Sequence, residues 1–204
     1  GGIPKALQKK PNVHIYANPG IQQMRYSIRD GIPKPIQIPA DSKSILNNCS
    51  NGQIHWVTAP TQLSERIGLT GPIPRKTAYE DTGGPFYLDP EGHTPDPITD
   101  DLALWIRTEE GLVICAGCCH AGVINTLEYI RQLTGESRIR AVIGGFHLLN
   151  AGNQRLEETV AAFRFLNSAK VIPCHCTGEK PTRFLIDNFG DKVVPGVAGM
   201  VLMF

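Results

Sequence analysis

Three histidines stand at equivalent places in the sequence, each shortly after an apolar run that is typical of a β-strand. His120 follows the run Leu112–Ala116, and His147 and His175 follow two later runs of the same kind. The separations of 27 and 28 residues each suit one strand–loop–helix unit. Because ligands bind beyond the carboxyl ends of strands in open α/β layers, this pattern predicts three imidazoles at one sheet edge. Neutral imidazole binds Zn²⁺, Fe, Mn or Ni, so the chemistry indicated is that of an open metal site.

A histidine near a strand end ordinarily makes only a local hydrogen bond, and this is the alternative interpretation for each of the six histidines. The shared strand-end position favours metal ligation for His120 and His175, with His147 expected nearby. The remaining histidines lie in two predicted strands and a polar turn, where the ordinary explanation is preferred: His14, His55 and His93.

Cysteines accompany these histidines. Five of the six fall in two tight clusters, which is the wrong distribution for a disulfide-stapled secreted domain and favours a reducing, cytoplasmic setting. Cys118 and Cys119 flank the predicted site and are expected to contact the ligands or the substrate. The six are Cys49, Cys115, Cys118, Cys119, Cys174 and Cys176.

Two other uses of the cysteines stay open. Cys115 and Cys118 form a C-x-x-C pair, the spacing of a redox dithiol. A structural zinc ion held by these two together with Cys174 and Cys176 is the second alternative. Cys115, however, lies inside an apolar strand, where packing as a small hydrophobic residue is the simpler explanation.

The elements that position these residues are those of an α/β protein. Residues 1–100 are rich in loops and short strands and contain most of the 16 prolines, whereas residues 101–204 alternate regularly between strands and helices. The proline-dense stretch Ile32–Pro39 is either a linker or an ordered loop of the active site. The predicted strands are Val13–Ala17, Ile54–Thr58, Ile67–Thr70, Pro85–Leu88, Leu102–Arg107, Leu112–Ala116, Ile139–Ile143, Ala169–Pro173 and Val197–Phe204; the predicted helices are Ala6–Lys10, Val123–Leu133, Arg155–Leu166 and Pro181–Phe189.

Composition excludes several classes of partner. The 204 residues carry 20 Lys and Arg against 19 Asp and Glu, a net charge of +1, which argues against nucleic-acid and anionic-membrane binding. The apolar runs are shorter than the roughly 18 residues of a membrane span. We therefore expect a soluble, cytoplasmic protein with a small-molecule partner.

The motifs resemble a known family. The runs Leu112–Gly122, Val142–Leu148 and Val171–Gly178 resemble the carboxy-terminal half of the metallo-β-lactamase superfamily. More narrowly they resemble the 7,8-dihydropterin-6-yl-methyl-4-(β-D-ribofuranosyl)aminobenzene-5′-phosphate synthase-like subgroup, as do Leu69–Lys76 and residues 95–101. The resemblance implies part of an αββα sandwich, with His120 and His175 as metal ligands and His147 facing the ligands or the substrate.

The same resemblance implies an incomplete chain. The superfamily motif H-x-H-x-D-H is not found in these residues, and Gly1-Gly2 resembles the sequence that follows it. We therefore expect one incomplete domain over residues 1–204 that lacks an amino-terminal half-domain. Such a chain is expected to be inactive alone and to associate, as a homo-oligomer, through an uncovered sheet face.

The implied function is a metal-dependent hydrolase-like enzyme, or a dihydropterin-type synthase, acting on a small phosphorylated or pterin-like substrate. One or two divalent ions, Zn²⁺ first among them, would activate a water molecule or polarise the substrate. Arg75 and Lys76, in a loop bounded by glycine and proline, are candidates to bind a substrate phosphate. The alternatives are a non-catalytic half-module that needs another chain and a thiol redox protein that uses Cys115 and Cys118.

Overall fold

The computed structural model describes residues 2–49 and 52–204, so Gly1, on which the expectation of an incomplete chain partly rests, lies outside the described residues. The strands are β1 (Ile15–Ala17), β2 (Tyr26–Arg29), β3 (Ile32–Pro35), β4 (Ile54–Trp56), β5 (Thr61–Ser64), β6 (Ile67–Leu69), β7 (Phe86–Tyr87), β8 (Ala103–Thr108), β9 (Gly111–Ala116), β10 (Ile139–Gly144) and β11 (Val171–Pro173). The helices are α1 (Ile3–Lys9), α2 (Ala40–Asn48), α3 (Val123–Thr134), α4 (Asn153–Leu166) and α5 (Glu179–Phe189), with 3-10 turns at Pro19–Gln22, His175–Thr177 and Gly190–Lys192.

The chain forms two compact units. One falls within Gly1–Thr58 and Pro85–Asp100, and the other consists of Ala59–Gly84 and Asp101–Phe204. The predicted α/β class is confirmed by these elements. Among the residues that the structure describes, no helix combines the length and the apolar character that crossing a membrane requires.

The first unit contains α1, α2, a parallel pair β1–β4 and an antiparallel sheet in the order β3–β2–β7. Part of the proline-dense stretch Ile32–Pro39 is strand β3, which tolerates Pro33 and Pro35 because it is an edge strand that pairs with β2 alone among the described strands. Arg25 organises the loops of this unit: its guanidinium donates to both Asp96 and Asp100. Helix α2 was not predicted from the sequence.

The second unit is built on a mixed sheet in the order β11–β10–β9–β8–β6–β5. β9, β10 and β11 run parallel, while β8 pairs antiparallel with β9 to form a hairpin. Helix α3 ends at Thr134, one residue beyond its predicted end, and Gly135 follows in the left-handed conformation with φ 67° that is common after a helix terminus.

The two faces of this sheet are covered differently. Along β9, Leu112 and Ile114 point to the main core, which is formed with α3, α4 and α5, whereas Val113 points to the opposite face. On that second face, Met200 and Leu202 of the final segment pack against the sheet.

The predicted strand Val197–Phe204 is wrong. This segment pairs with no strand of the described chain; instead the Met200 amide donates to the Val197 carbonyl oxygen at 3.1 Å in a turn. Alternating apolar residues indicate that one side of a segment is buried. Here that side packs on the face of the sheet, and the backbone of the segment does not pair with the edge of a neighbouring strand.

Candidate functional site

The candidate site lies at the edge of the second unit's sheet where β9, β10 and β11 end. Cys115, Ile143 and Ile172 are in register on the three parallel strands. Every predicted histidine and cysteine of the site follows one of these in-register residues by three to five positions. Parallel pairing therefore delivers three loops to one place, as the sequence pattern predicts.

Three side chains form a group with metal-ligand spacing. The ligand atoms of Cys118, His147 and Cys176 all lie within 4.8 Å of one another, and each side chain is half-buried. They come from the loops after β9, β10 and β11 respectively. Two thiols and an imidazole are a donor set that suits Zn²⁺, since zinc prefers sulfur and nitrogen ligands. The residues therefore fit a divalent ion.

The backbone around this group is unusual. His147 and His175 have φ values of 46° and 50°, and Cys119 has 52°. This left-handed region is uncommon for residues other than glycine and costs on the order of 1 kcal/mol each. The loops therefore hold these residues in conformations that local preference disfavours.

His120 is oriented by the loop that precedes β7. Its Nδ1 lies 2.9 Å from the Thr82 carbonyl oxygen, which can only accept, so Nδ1 carries the proton. Burial is the largest cause that lowers the His120 pKa, which favours the neutral ring with its lone pair on Nε2. The ring centroids of His120 and His147 are 4.2 Å apart. A metal-binding histidine is commonly fixed in this way, through its other nitrogen.

The thiols of Cys118 and Cys176 differ in acidity because they interact with each other. The pKa of Cys176 is lowered, first by a hydrogen bond from Cys118 and then by hydrogen bonds from His147 and His175. The pKa of Cys118 is raised, chiefly by its bond to Cys176 and then by burial. Cys176 is thus favoured as the thiolate, the form of cysteine that binds metals.

A loop from the middle of the chain supports this edge from one side. The buried carboxylate of Glu80 accepts the backbone N–H groups of Ile124 and Asn125 at 2.9 and 2.8 Å, at the start of α3. The side chain of Asn125 in turn accepts the amides of Lys76 and Thr77 at 2.8 and 3.0 Å. These bonds tie residues 76–80 to α3 and so fix where Thr82 meets His120.

Arg155 of α4 holds the same loop from the opposite end. Its Nη1 donates to Asp81, whose Oδ1 accepts the amide of Gly83 at 2.7 Å. Arg155 is buried, and its Nε and Nη2 have no hydrogen-bond partner among the described residues. Burial of a charged guanidinium costs free energy, and here the bond to the Asp81 carboxylate is what offsets that cost. The burial therefore indicates that the position of this loop is important to the structure.

Two glycines allow the loops to approach one another closely. Gly83 has φ 80°, and a Cβ atom there would overlap the ring of His147. At Gly145 a Cβ atom would lie 2.5 Å from Cys176 Sγ. Both contacts are possible only without a side chain.

Substituting Gly83 by Ala is expected to displace His147 and to weaken metal binding by about tenfold. Gly135→Ala is the matched control, because Gly135 also has positive φ but has open space around its Cα. Both variants should lose about 1 kcal/mol of stability from the backbone conformation alone, and G83A should lose more. Zinc titration and urea unfolding of the two variants measure these effects. Equal zinc affinities for G83A and G135A would contradict the close contact.

The structure distributes the remaining predicted residues around this group. His175 Nδ1 lies 3.6 Å from Cys118 Sγ, whereas Cys119 is buried in the main core, where burial raises its pKa. Arg75 donates to the carbonyl oxygens of His120 and Glu80. Lys76 Nζ donates to Gln132 on α3 at 3.1 Å.

The structure bears on both alternative uses of the cysteines, the redox dithiol and the structural zinc ion. All six cysteines are free thiols. Of the four proposed for a structural zinc ion, only Cys118 and Cys176 join the group with ligand spacing among the described residues. Cys115 packs with Val113 and Ile172 on the second face of the sheet, as its place in an apolar strand predicts.

Sequence reasoning missed Glu80, Thr82, Gly83, Asn125 and Arg155. Each makes at least one hydrogen bond or contact with a residue 38 or more positions away along the chain. The local hydrophobic periodicity of the sequence does not reveal such distant partners. The glycine pair at 83–84, between two strands, was the one available signal of a close backbone approach.

The α/β fold is similar to that of the metallo-β-lactamase superfamily. A crystal structure of a metal-dependent hydrolase of the β-lactamase superfamily superposes with a TM-score of 0.79 at 28% identity, over 94% of this chain and 71% of that one. The resemblance to the superfamily is therefore confirmed.

The narrower resemblance is confirmed as well. The 7,8-dihydropterin-6-methyl-4-(β-D-ribofuranosyl)-aminobenzene-5′-phosphate synthase of Methanocaldococcus jannaschii is 29% identical over 209 residues, which cover all of this chain and 69% of the relative. An uncharacterized protein of the same archaeon is 32% identical over 135 residues, which cover 65% of this chain and 49% of that protein. No protein-family model matches the sequence.

Proposed function

We propose that this chain carries the metal centre of a metal-dependent, hydrolase-like enzyme that acts on a small phosphorylated or pterin-like substrate. The observation that supports the proposal most directly is the group Cys118, His147 and Cys176 at the edge where three parallel strands end. The similar proteins support it too, since one is named a metal-dependent hydrolase and another a dihydropterin-type synthase.

The proposed ligands come from two lines of argument. Cys118, His147 and Cys176 are proposed from their mutual distances, and His120 and His175 from the family resemblance and from the contacts of both rings with that group. Zn²⁺ is the ion that this mixture of sulfur and nitrogen donors suits best, bound as one ion or two. When bound, such an ion acts as a Lewis acid and lowers the pKa of a bound water molecule toward neutrality.

The chain's own residues prepare this chemistry. Thr82 holds the proton of His120 on Nδ1 and thereby fixes the tautomer of that ring. Arg75 is exposed, and its guanidinium donates to the backbone carbonyl oxygen of His120, so a phosphate held by Arg75 would lie close to the loop that carries His120. Lys76 is the weaker phosphate-binding candidate, because its ammonium group bonds to Gln132.

The proposed setting is the reducing cytoplasm. Six free thiols, two of them in the candidate site, persist best where disulfides are not formed. A small-molecule substrate remains part of the proposal, with neither nucleic acid nor a membrane as a partner. Self-association through a sheet face also remains a prediction.

The test combines metal analysis with turnover. The purified chain is dialysed against Zn²⁺, and its metal content and hydrolysis of a small phosphomonoester are measured beside His120→Ala and His175→Ala. We expect bound zinc, any turnover to require it, and both variants to lose metal affinity by about tenfold or more. Zinc binding that both substitutions leave unchanged would remove the two histidines from the proposal. Zinc binding without turnover would agree with the expectation that this chain is inactive alone. Turnover that appears once a segment carrying the H-x-H-x-D-H motif is added upstream would support the enzyme, and its continued absence would favour the non-catalytic half-module.

A thiol redox function is the second candidate. It is favoured by the proximity of the Cys118 and Cys176 sulfurs, a pairing different from the Cys115–Cys118 pair that the sequence indicates. Thiol titration before and after mild oxidation of the metal-free chain distinguishes the two candidates. Rapid, reversible loss of two thiols together with dithiol-dependent activity would support the redox function over the hydrolase.

A further inference from the structure

A pair of histidines in the first compact unit faces nitrogen to nitrogen. His14 Nδ1 and His55 Nε2 are 2.9 Å apart, although the two residues lie 41 positions apart in the sequence. Parallel pairing of β1 with β4 places Tyr16 opposite His55, and the ring of His14, the residue just before β1, also contacts the His55 ring. The three rings therefore lie together on this two-stranded ribbon.

Tyr16 fixes the orientation of this pair. Its ring stacks on His55 with centroids 4.5 Å apart and an interplanar angle of 15°. The His14 ring lies on the same histidine at a centroid distance of 5.1 Å and a tilt of 36°. His14 is exposed to solvent and His55 half-buried, so a dissolved ion can reach both nitrogens.

From this geometry we infer that His14 and His55 form a two-histidine chelate for a borderline divalent transition-metal ion such as Ni²⁺ or Zn²⁺. Metal–imidazole bonds of about 2.0–2.1 Å at angles between 90° and 109° put two ligand nitrogens about 2.9–3.4 Å apart. The observed separation of 2.9 Å lies within this range. Since the ring centroids are 5.1 Å apart, the two nitrogens approach nearly head-on, and both rings rotate to direct their lone pairs at one ion. Both nitrogens present lone pairs when His14 carries its proton on Nε2 and His55 on Nδ1, a neutral tautomer pair.

This chelate uses none of the residues of the strand-edge site and does not depend on the proposed enzyme activity. Imidazole suits Ni²⁺, Cu²⁺ and Zn²⁺, and two rings already held on neighbouring strands make the second bond intramolecular. Ni²⁺ is the better probe, because Cu²⁺ oxidises thiols and this chain has six.

The experiment measures Ni²⁺ affinity by calorimetry in the full chain with Cys118→Ser, Cys176→Ser, His120→Ala, His147→Ala and His175→Ala, which together remove the proposed ligands of the strand-edge site. His14→Ala and His55→Ala are each expected to weaken Ni²⁺ binding by about tenfold or more. His93→Ala is the matched control, an exposed histidine of the same unit, and is expected to leave the affinity unchanged. His14→Gln and His55→Gln repeat the measurement with polar side chains, and circular dichroism verifies that each variant is folded.

Paramagnetic broadening by Ni²⁺ provides a second readout. The ring signals of His14 and His55 should broaden together at low Ni²⁺ concentration, before that of His93. Equal Ni²⁺ affinities for the His14, His55 and His93 variants, or broadening that follows exposure alone, would overturn the inference and leave the pair as an ordinary hydrogen bond.

Discussion

Replacing Cys118 and Cys176 together by serine is expected to lower the affinity of the chain for Zn²⁺ by about 100-fold or more. Loss of a residue that merely orients a ligand already costs about 10- to 100-fold, and these two sulfurs are two of the three donors with ligand spacing. Serine preserves the size of the side chain but does not ionise near neutral pH, so it cannot replace a thiolate. A 100-fold loss corresponds to about 2.8 kcal/mol of binding free energy.

The measurement is a competition titration of Zn²⁺ against a chromophoric chelator, under reducing conditions. Cys115→Ala is the control, because Cys115 packs on the second face of the sheet and outside the ligand group. It should lose about 1 kcal/mol of folding stability from the removed sulfur and retain its zinc affinity. Unchanged zinc affinity in the double serine variant would assign the ion to the histidines alone.

Replacing Glu80 by Ala is expected to lower the free energy of unfolding by about 3 kcal/mol. The carboxylate is only 7% exposed and satisfies two backbone N–H groups of α3, which the substitution leaves buried without an acceptor. Each such group costs about 1–3 kcal/mol. Alanine also removes the bond that Glu80 accepts from the Thr77 hydroxyl at 3.0 Å.

Glu80→Gln separates the geometry from the charge. The amide keeps one oxygen for one backbone N–H, so we expect it to retain roughly half of the stability lost by alanine. Glu128→Gln, a half-exposed position on α3 itself, is the control and should change stability by less than about 0.5 kcal/mol. The fluorescence of Trp105, which is buried in β8, reports urea unfolding in a chain with Trp56→Phe.

The site should respond to the same substitution. Glu80 anchors the loop whose Thr82 carbonyl orients His120, so E80A should also weaken zinc binding, by about tenfold. An E80A variant that loses stability but binds zinc as tightly as the parent chain would mean that the loop supports α3 without positioning His120.

Much of the second unit could be predicted from the sequence alone. Short apolar runs, glycine at helix ends and amphipathic stripes determine β9, α3, β10, α4 and α5, because each depends on neighbours within a few residues. The regular recurrence of histidine after these runs determined that the three loops would meet at one sheet edge, since parallel strands end together.

The tertiary structure decided which of these side chains converge. Cys118, His147 and Cys176 form the close group because positive φ values at His147 and His175, together with the absent side chain of Gly145, turn the loops toward one another. The left-handed conformation is uncommon for residues other than glycine, histidine included, so no local pattern predicts it.

Long-range bonds decided the rest. The loop carrying Glu80 and Thr82 has no regular periodicity, and its place follows from hydrogen bonds to α3 and to His120 about 40 residues away. The apolar segment Val197–Phe204 illustrates the same limit of local sequence patterns. Its alternating apolar residues fit a strand paired at a sheet edge and fit equally well a segment packed on a sheet face. Only the packing of Met200 and Leu202 on that face selects between them, since burial of apolar surface is non-directional.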